Sequence, residues 1–124
     1  MSAAAEELAT VLMLVEAIVR PQKVCDSLEA LARVGARGVT VTDARGAGRQ
    51  RGVNHQYRGS EYTVSLLHKV KIEVVVAERE ARVVAEALAR AAHTGEIGDG
   101  KIFLVPVLDA IRIRTGDRGR VAID

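Results

Sequence analysis

The sequence predicts an α+β domain in which two strand–helix–strand units are joined by a long loop. Three observations predict it. Apolar residues alternate with polar ones in some stretches, recur at helical spacing in others, and this order repeats once along the 124-residue chain. A chain of this length holds one domain with a single core. Hydrophobic residues make up 48% of it and aromatic residues only 2%, so that core is built from Val, Ile, Leu and Ala.

Residues 1–10 read as an Ala- and Glu-rich N-terminal extension, followed by one domain over 11–124. The branched apolar run at 11–19 reads as the first buried strand. Pro21 suits the first turn of a helix, where its missing N–H costs nothing. Val24, Cys25, Leu28, Leu31 and Ala32 then recur at helical spacing, with Lys23, Asp26, Glu29 and Arg33 on the other side. Cys25 reads as a small apolar filler on that helix. Gly35 and Gly38 bracket the exit, and Val39 and Val41 alternate with Thr40 and Thr42 as in a half-buried strand.

Between Asp43 and Ser65 the hydrophobic pattern stops, and Gly, Arg, Gln and both tyrosines take over. So long a stretch is not a simple connector in a small domain, so it is expected to be a functional loop, an extended hairpin excursion from a sheet. The pattern then resumes. Val70, Ile72, Val74 and Val76 alternate with Lys69, Lys71 and Glu73 along a strand. Val83, Val84, Ala87, Leu88 and Ala91 form the stripe of a second helix. A glycine-rich turn at 94–100 leads to a strand over 102–108, which Pro106 assigns to an edge or a bend. Ile111 and Ile113, alternating with Arg112 and Arg114, predict a short tail strand. Two βαβ units fit a ferredoxin-like double βαβ sandwich, with two helices on one face of an antiparallel sheet. The other face is expected to be apolar, which favours self-association.

Several function classes are disfavoured. A formal charge of +2 gives no argument for nucleic acid. The apolar run at 8–19 is too short to span a bilayer, is interrupted by Thr10 and Glu16, and lacks the basic start of a signal peptide. Cys25 is the only cysteine, which excludes an intramolecular disulfide and suits the cytoplasm. His55, His68 and His93 show no metal-ligand spacing, and no nucleophile–base arrangement stands out.

The chemistry concentrates in two places. Gly95-Glu-Ile-Gly-Asp-Gly100-Lys101 satisfies GxxxxGK, but Ile102 stands where a phosphate loop needs Ser or Thr, and a strand rather than a helix is expected to follow. The physics of the glycines still applies: closely spaced glycines let backbone N–H groups approach phosphate oxygens, and a lysine adds a point charge. Arg112 and Arg114, one residue apart, repel each other unless an anion or separate carboxylates intervene. Beside the glycine-rich turn they read as a phosphate clamp. The loop itself offers the basic stretch Gly46-Ala-Gly-Arg-Gln50-Arg-Gly52 and then Tyr57-Arg-Gly-Ser-Glu-Tyr62, which suit protein recognition or covalent modification.

At these residues the chain resembles the PII nitrogen-regulatory family. Tyr57-Arg-Gly-Ser-Glu-Tyr62 looks like the modification motif of that family's T-loop, here at about 46–66. Thr94-Gly-Glu-Ile-Gly-Asp-Gly-Lys-Ile-Phe103 looks like its second signature, in the B-loop, here at about 93–101, ahead of a C-terminal segment at 109–124. The resemblance runs from Val15-Glu-Ala-Ile-Val-Arg-Pro21 through Val70-Lys-Ile-Glu73 to Ile111-Arg-Ile-Arg-Thr-Gly116. It implies a homotrimer that binds ATP or ADP in clefts between subunits and acts as a regulator, not an enzyme. Thr40, Gly48, Arg49, Gln50 and Glu73 would line the nucleotide side of one subunit. Thr94, Gly98, Asp99, Gly100 and Lys101 would form the phosphate turn, and Arg112 and Arg114 would reach in from the neighbour. The resemblance also implies 2-oxoglutarate at the T-loop base, beside Mg²⁺-ATP, through Gln50 and Lys69, with Gln50 next to the metal.

Tyr62 aligns with a tyrosine that a nucleotidyl-modifying enzyme acts on in some members. The implied partners are nitrogen-metabolism enzymes or an ammonium transporter, reached through the T-loop, with neither nucleic acid nor membrane insertion. A paralogue regulating nitrogenase or another transporter or enzyme, with a different effector response, is the alternative. Ala47, His68, Gln22 and the tip residues Val53, Asn54, His55 and Gln56 depart from the common pattern, which bears on partner identity. Slow ATP hydrolysis lacks an evident base. RNA binding on the same fold lacks the exposed aromatics that read bases.

Overall fold

A computed structural model describes residues 10–47 and 66–124. Strand β1 (Leu12–Val19) is followed by a 3-10 turn (Pro21–Lys23) and helix α1 (Val24–Arg33). Strands β2 (Thr40–Gly46) and β3 (Leu67–Ala77) come next, then helix α2 (Glu78–Ala92), strand β4 (Lys101–Val107) and a one-turn helix α3 (Arg120–Ile123). The four strands form one antiparallel sheet in the order β2-β3-β1-β4. This is the double βαβ arrangement expected from the sequence. β4 lies at an edge, and Pro106 sits inside it where an unpaired N–H side costs least.

The helices cover one sheet face. Val15, Ala17 and Val19 of β1 and Val70, Ile72, Val74 and Val76 of β3 are buried against Leu31 of α1 and Ala81, Val84 and Leu88 of α2. Each fully buried branched side chain contributes about 1.5–3 kcal/mol, so this layer supplies most of the fold's driving force. Ser27 is also fully buried in α1, and its hydroxyl donates to the Lys23 carbonyl at 2.7 Å. That bond lets a polar residue occupy a core position.

Several sequence expectations are corrected. Cys25 is exposed rather than packed, because its position on α1 lies outside the stripe defined by Ser27 and Leu31. On α2, Val83 is 55% exposed, and the buried stripe is Ala81, Val84, Ala87, Leu88 and Ala92. β2 is mostly exposed instead of half-buried, since it is the second edge strand. The uncovered sheet face is mixed rather than apolar. Register pairs Glu16 with Glu73 across β1 and β3, and Lys71 bridges them at 3.8 and 3.7 Å, offsetting the repulsion of two carboxylates set directly opposite. Apolar exposure is instead concentrated on β4 and beyond it, at Phe103, Leu104, Val105 and Leu108.

The expected tail strand does not form. Ile111 makes a single bridge to Arg118, and the chain between them turns. Gly116 (φ 76°) and Gly119 (φ 65°) adopt left-handed conformations that an alternating strand does not allow. Arg112 and Arg114 are therefore not neighbours on one strand face. Among the described residues no helix is long and apolar enough to cross a membrane.

Candidate functional site

The paired strands β2 and β3 run together as far as Gly46 opposite Leu67. At that end of the sheet the turn at residues 94–100 folds over β1 and β3. Together these segments line a cleft of about 530 Å³ that includes Gly46, Ala47, Lys69, Gly98, Gly100 and Lys101.

Asp99 organises the turn. Its carboxylate accepts the backbone N–H groups of Thr94 (2.7 Å) and Gly95 (2.8 Å) and the Arg20 Nε–H (3.0 Å), and also the Thr94 hydroxyl. The hydrogen bonds from Thr94 are the largest influence on its acidity and hold the carboxyl well below the usual carboxylate range. Arg20 also donates from a terminal nitrogen to the Ile97 carbonyl at 2.8 Å, and Lys69 Nζ donates to the Gly98 carbonyl at 2.6 Å. Lys69 is only 9% exposed. Burial, reinforced by the nearby Arg20 charge and opposed by Asp99, lowers its pKa from the ordinary 10.5.

These contacts fix peptide directions. In a planar trans peptide the C=O and the following N–H point oppositely. With the Ile97 and Gly98 carbonyls held by Arg20 and Lys69, the N–H groups of Gly98 and Asp99 face away from those side chains. Neither N–H makes a hydrogen bond among the described residues. Successive unpaired N–H groups in a turn form an anion-binding concavity. Gly98 (φ 104°) and Gly100 (φ 97°) permit this path, and a Cβ on Gly100 would stand 1.7 Å from the Ile18 carbonyl oxygen.

Lys69, Gly98, Asp99, Gly100 and Lys101 thus come together, with Thr94 joined to them through Asp99. The side chains of Asp99 and Thr94 bond within the turn, so their part is to shape it. Thr40 and Glu73 are cross-strand partners four residues along β3 from Lys69, roughly 13 Å away at strand spacing, and do not line the cleft. Gly48, Arg49, Gln50 and Tyr62 lie outside the described residues.

Arg112 and Arg114 sit at the other end of the sheet. Arg112 donates to Asp117 (3.2 Å) and to the carbonyls of Val121 (2.7 Å) and Asp124 (2.8 Å). Asp124 in turn lines a second cleft with Val75 and Val76. Val75 is six residues from Lys69, roughly 20 Å along β3. Arg114 makes no hydrogen bond or ion pair among the described residues. Sequence reading missed Arg20 as organiser of the turn. Seventy-nine residues separate it from Asp99, and only the β1–β4 pairing brings the two together.

Comparison with known proteins agrees with this architecture. The family profile described as Nitrogen regulatory protein P-II matches residues 12–117. The chain is 53% identical over 109 residues to the Nitrogen regulatory protein P-II of Azospirillum brasilense, covering 88% of this chain and 97% of that protein. It is 56% identical over 110 residues to the Nitrogen regulatory protein GlnK2 of Haloferax mediterranei, covering 89% of each. Among solved structures, that of Arabidopsis thaliana PII bound to citrate matches with a TM-score of 0.73 and 42% identity, over 91% of this chain and 92% of that one. The chain belongs to the nitrogen regulatory protein P-II family.

Proposed function

We propose that this P-II protein is a homotrimeric sensor that binds ATP or ADP, together with Mg²⁺ and 2-oxoglutarate, and regulates a partner through the loop at about 46–66. The observation that carries this reading is the turn at 94–100. Its outward N–H groups, with Lys101 following them on the cleft wall, are suited to receive an anion with several oxygens. Phosphate oxygens match spaced backbone donors plus a lysine point charge. Lys69, held on the cleft wall next to Arg20, supports a carboxylate effector in the same cleft. Mg²⁺ would offset the charge of phosphate and carboxylate groups bound near one another, with Gln50 as the side chain proposed to hold it.

Distance supports the proposed assembly. Arg112 and Arg114 lie at the far end of the protomer from the cleft, so they join the phosphate site only if a second copy supplies them. The exposed apolar residues of β4 and the segment after it offer a surface for that copy. A regulatory role in nitrogen metabolism is supported by the names of the relatives, and the targets proposed here are nitrogen-metabolism enzymes or an ammonium transporter, reached in the cytoplasm and without catalysis. Tyr62 is the proposed acceptor for a nucleotidyl-modifying enzyme.

A second reading keeps the nucleotide and changes the effector, as in a paralogue that controls nitrogenase or another transporter or enzyme. The solved relative holding citrate favours considering it, because a tricarboxylate also suits a lysine-lined cleft. Isothermal titration separates the two. The sensor reading expects ATP and ADP to bind, and 2-oxoglutarate to bind only with Mg²⁺-ATP present. Nucleotide binding without 2-oxoglutarate binding would favour the second reading, and no adenine-nucleotide binding would defeat both.

A further inference from the structure

The hairpin that carries Arg114 stands clear of the core, whose buried residues belong to β1, β3, α1 and α2. It leaves the sheet at Leu108, after β4, and returns at Gly119, before α3. Its arms are joined by the Gly119 N–H to the Ala110 carbonyl (3.1 Å) and the Arg112 N–H to the Asp117 carbonyl (2.9 Å). At the tip the Gly116 N–H donates to the Arg112 carbonyl at 2.7 Å. An isolated two-stranded hairpin is marginally stable in water, and a ladder this short is weaker still. Side chains therefore have to hold it.

Two carboxylates do so. Near the tip, Asp117 accepts Arg112 at 3.2 Å and the Thr115 hydroxyl at 2.8 Å. At the base, Asp109 closes the arms on each other. One of its oxygens accepts the Ala110 N–H at 2.8 Å and the Gly119 N–H at 3.2 Å. The other accepts the Arg118 Nε–H at 2.8 Å, together with a terminal nitrogen of the same guanidinium. The Arg118 hydrogen bond, ahead of that from the Ala110 N–H, holds the Asp109 carboxyl below its ordinary 3.8, so the clasp is charged at neutral pH. Beyond it, Arg120 ties the returning arm to Glu80 of α2 at 3.4 Å. The base acts as a lever. Arg114 lies five residues beyond Asp109, up to roughly 16 Å along an extended arm. A tilt of about 10° at the base would carry it by roughly 3 Å, the length of a hydrogen bond. We infer that Asp109 is a positioning residue, whose clasp on Arg118 and Gly119 fixes the direction in which the hairpin presents Arg114 to phosphate in a neighbouring copy's cleft. This role rests on the proposed function, in which Arg114 serves that cleft. Asp109 itself touches no ligand. Without the clasp the hairpin keeps Arg114 but has to be ordered on binding, and that cost appears as lost affinity.

Titration calorimetry of the full chain with ATP, alongside chemical denaturation, tests this. Asp109→Ala is expected to weaken ATP binding about tenfold. Asp109→Asn, which keeps an oxygen for the two backbone N–H groups, is expected to weaken it about threefold. Unfolding midpoints should stay near that of the parent, because the hairpin lies outside the core. In an Arg114→Ala background the same substitutions should cause no further loss, since a clasp that acts through Arg114 has nothing left to aim. A further loss in that background would assign Asp109 to general stability or assembly and overturn the inference. So would Asp109 variants that bind like the parent while Arg114→Ala binds weakly. Arg114→Ala binding as tightly as the parent would instead defeat the proposed part of Arg114 in the phosphate site, and this inference with it.

Discussion

At one end of the sheet the turn at 94–100 is tied by Asp99, Arg20 and Lys69 into one conformation, with its N–H groups turned outward. At the other end Arg112 is spent on the chain's own C-terminal segment, whereas Arg114 extends without a partner among the described residues. Under the proposed function the two ends would carry complementary halves of a phosphate site, yet a single protomer holds them roughly 20 Å apart. The first half is preorganised within the chain, so its cost of ordering is met on folding rather than on binding. The second half would then serve only a neighbouring copy. In this account a ligand at the cleft would report on assembly as well as on its own concentration.

The largest effect that could break this comparison is expected at Gly100. Gly100→Ala combines a φ of 97° with a Cβ placed 1.7 Å from the Ile18 carbonyl oxygen, which is backbone and cannot swing aside. We expect a loss of about 3 kcal/mol or more in stability, measured by chemical denaturation, together with loss of nucleotide binding. Lys101→Ala should leave the turn in place and remove one charge-assisted contact. ATP affinity should then fall about 10–100-fold by titration calorimetry with stability nearly unchanged.

Asp99→Asn probes the internal ties. Because the folded-state pKa of Asp99 lies below its ordinary value of 3.8, its contribution to stability is complete above that value and fades as pH falls below it. The variant should therefore show a flatter loss of stability on acidification below about pH 4 than the parent, and weaker nucleotide binding at neutral pH. The smallest effect is expected at Tyr62. Tyr62→Phe should leave nucleotide affinity unchanged and abolish only modification by a nucleotidyltransferase, read by intact mass.

Most of the helix-covered face was legible in the sequence, because Val70 to Val76 and Ala81 to Leu88 carry the periods of a strand and a helix over enough residues to be unambiguous. Pro106 likewise marked an edge. The errors fall where local pattern and tertiary context disagree. Ile111-Arg-Ile-Arg114 alternates like a strand, but Gly116 and Gly119 bend the chain back and Asp117 captures Arg112, so a turn forms instead. Val83 matches the helical stripe by type and faces out by angle. In the candidate site, the spaced glycines and Lys101 were visible because their chemistry is local. Arg20 was not visible, since its partners are distant in sequence and its neighbour Pro21 drew attention to the helix start. Asp99 was read as a phosphate neighbour, whereas its spacing to Thr94 and Gly95 already matches a carboxylate that closes its own turn.

The central claim is that each site takes its cradle from one chain and its arginine from another. Chains carrying Lys101→Ala and chains carrying Arg114→Ala should each bind ATP weakly when prepared alone. Unfolded and refolded together, they should form mixed assemblies in which some interfaces pair an intact cradle with an intact arginine. Titration of the mixture should then recover a fraction of sites with the parent affinity. A mixture that binds ATP no better than its two components would contradict the account.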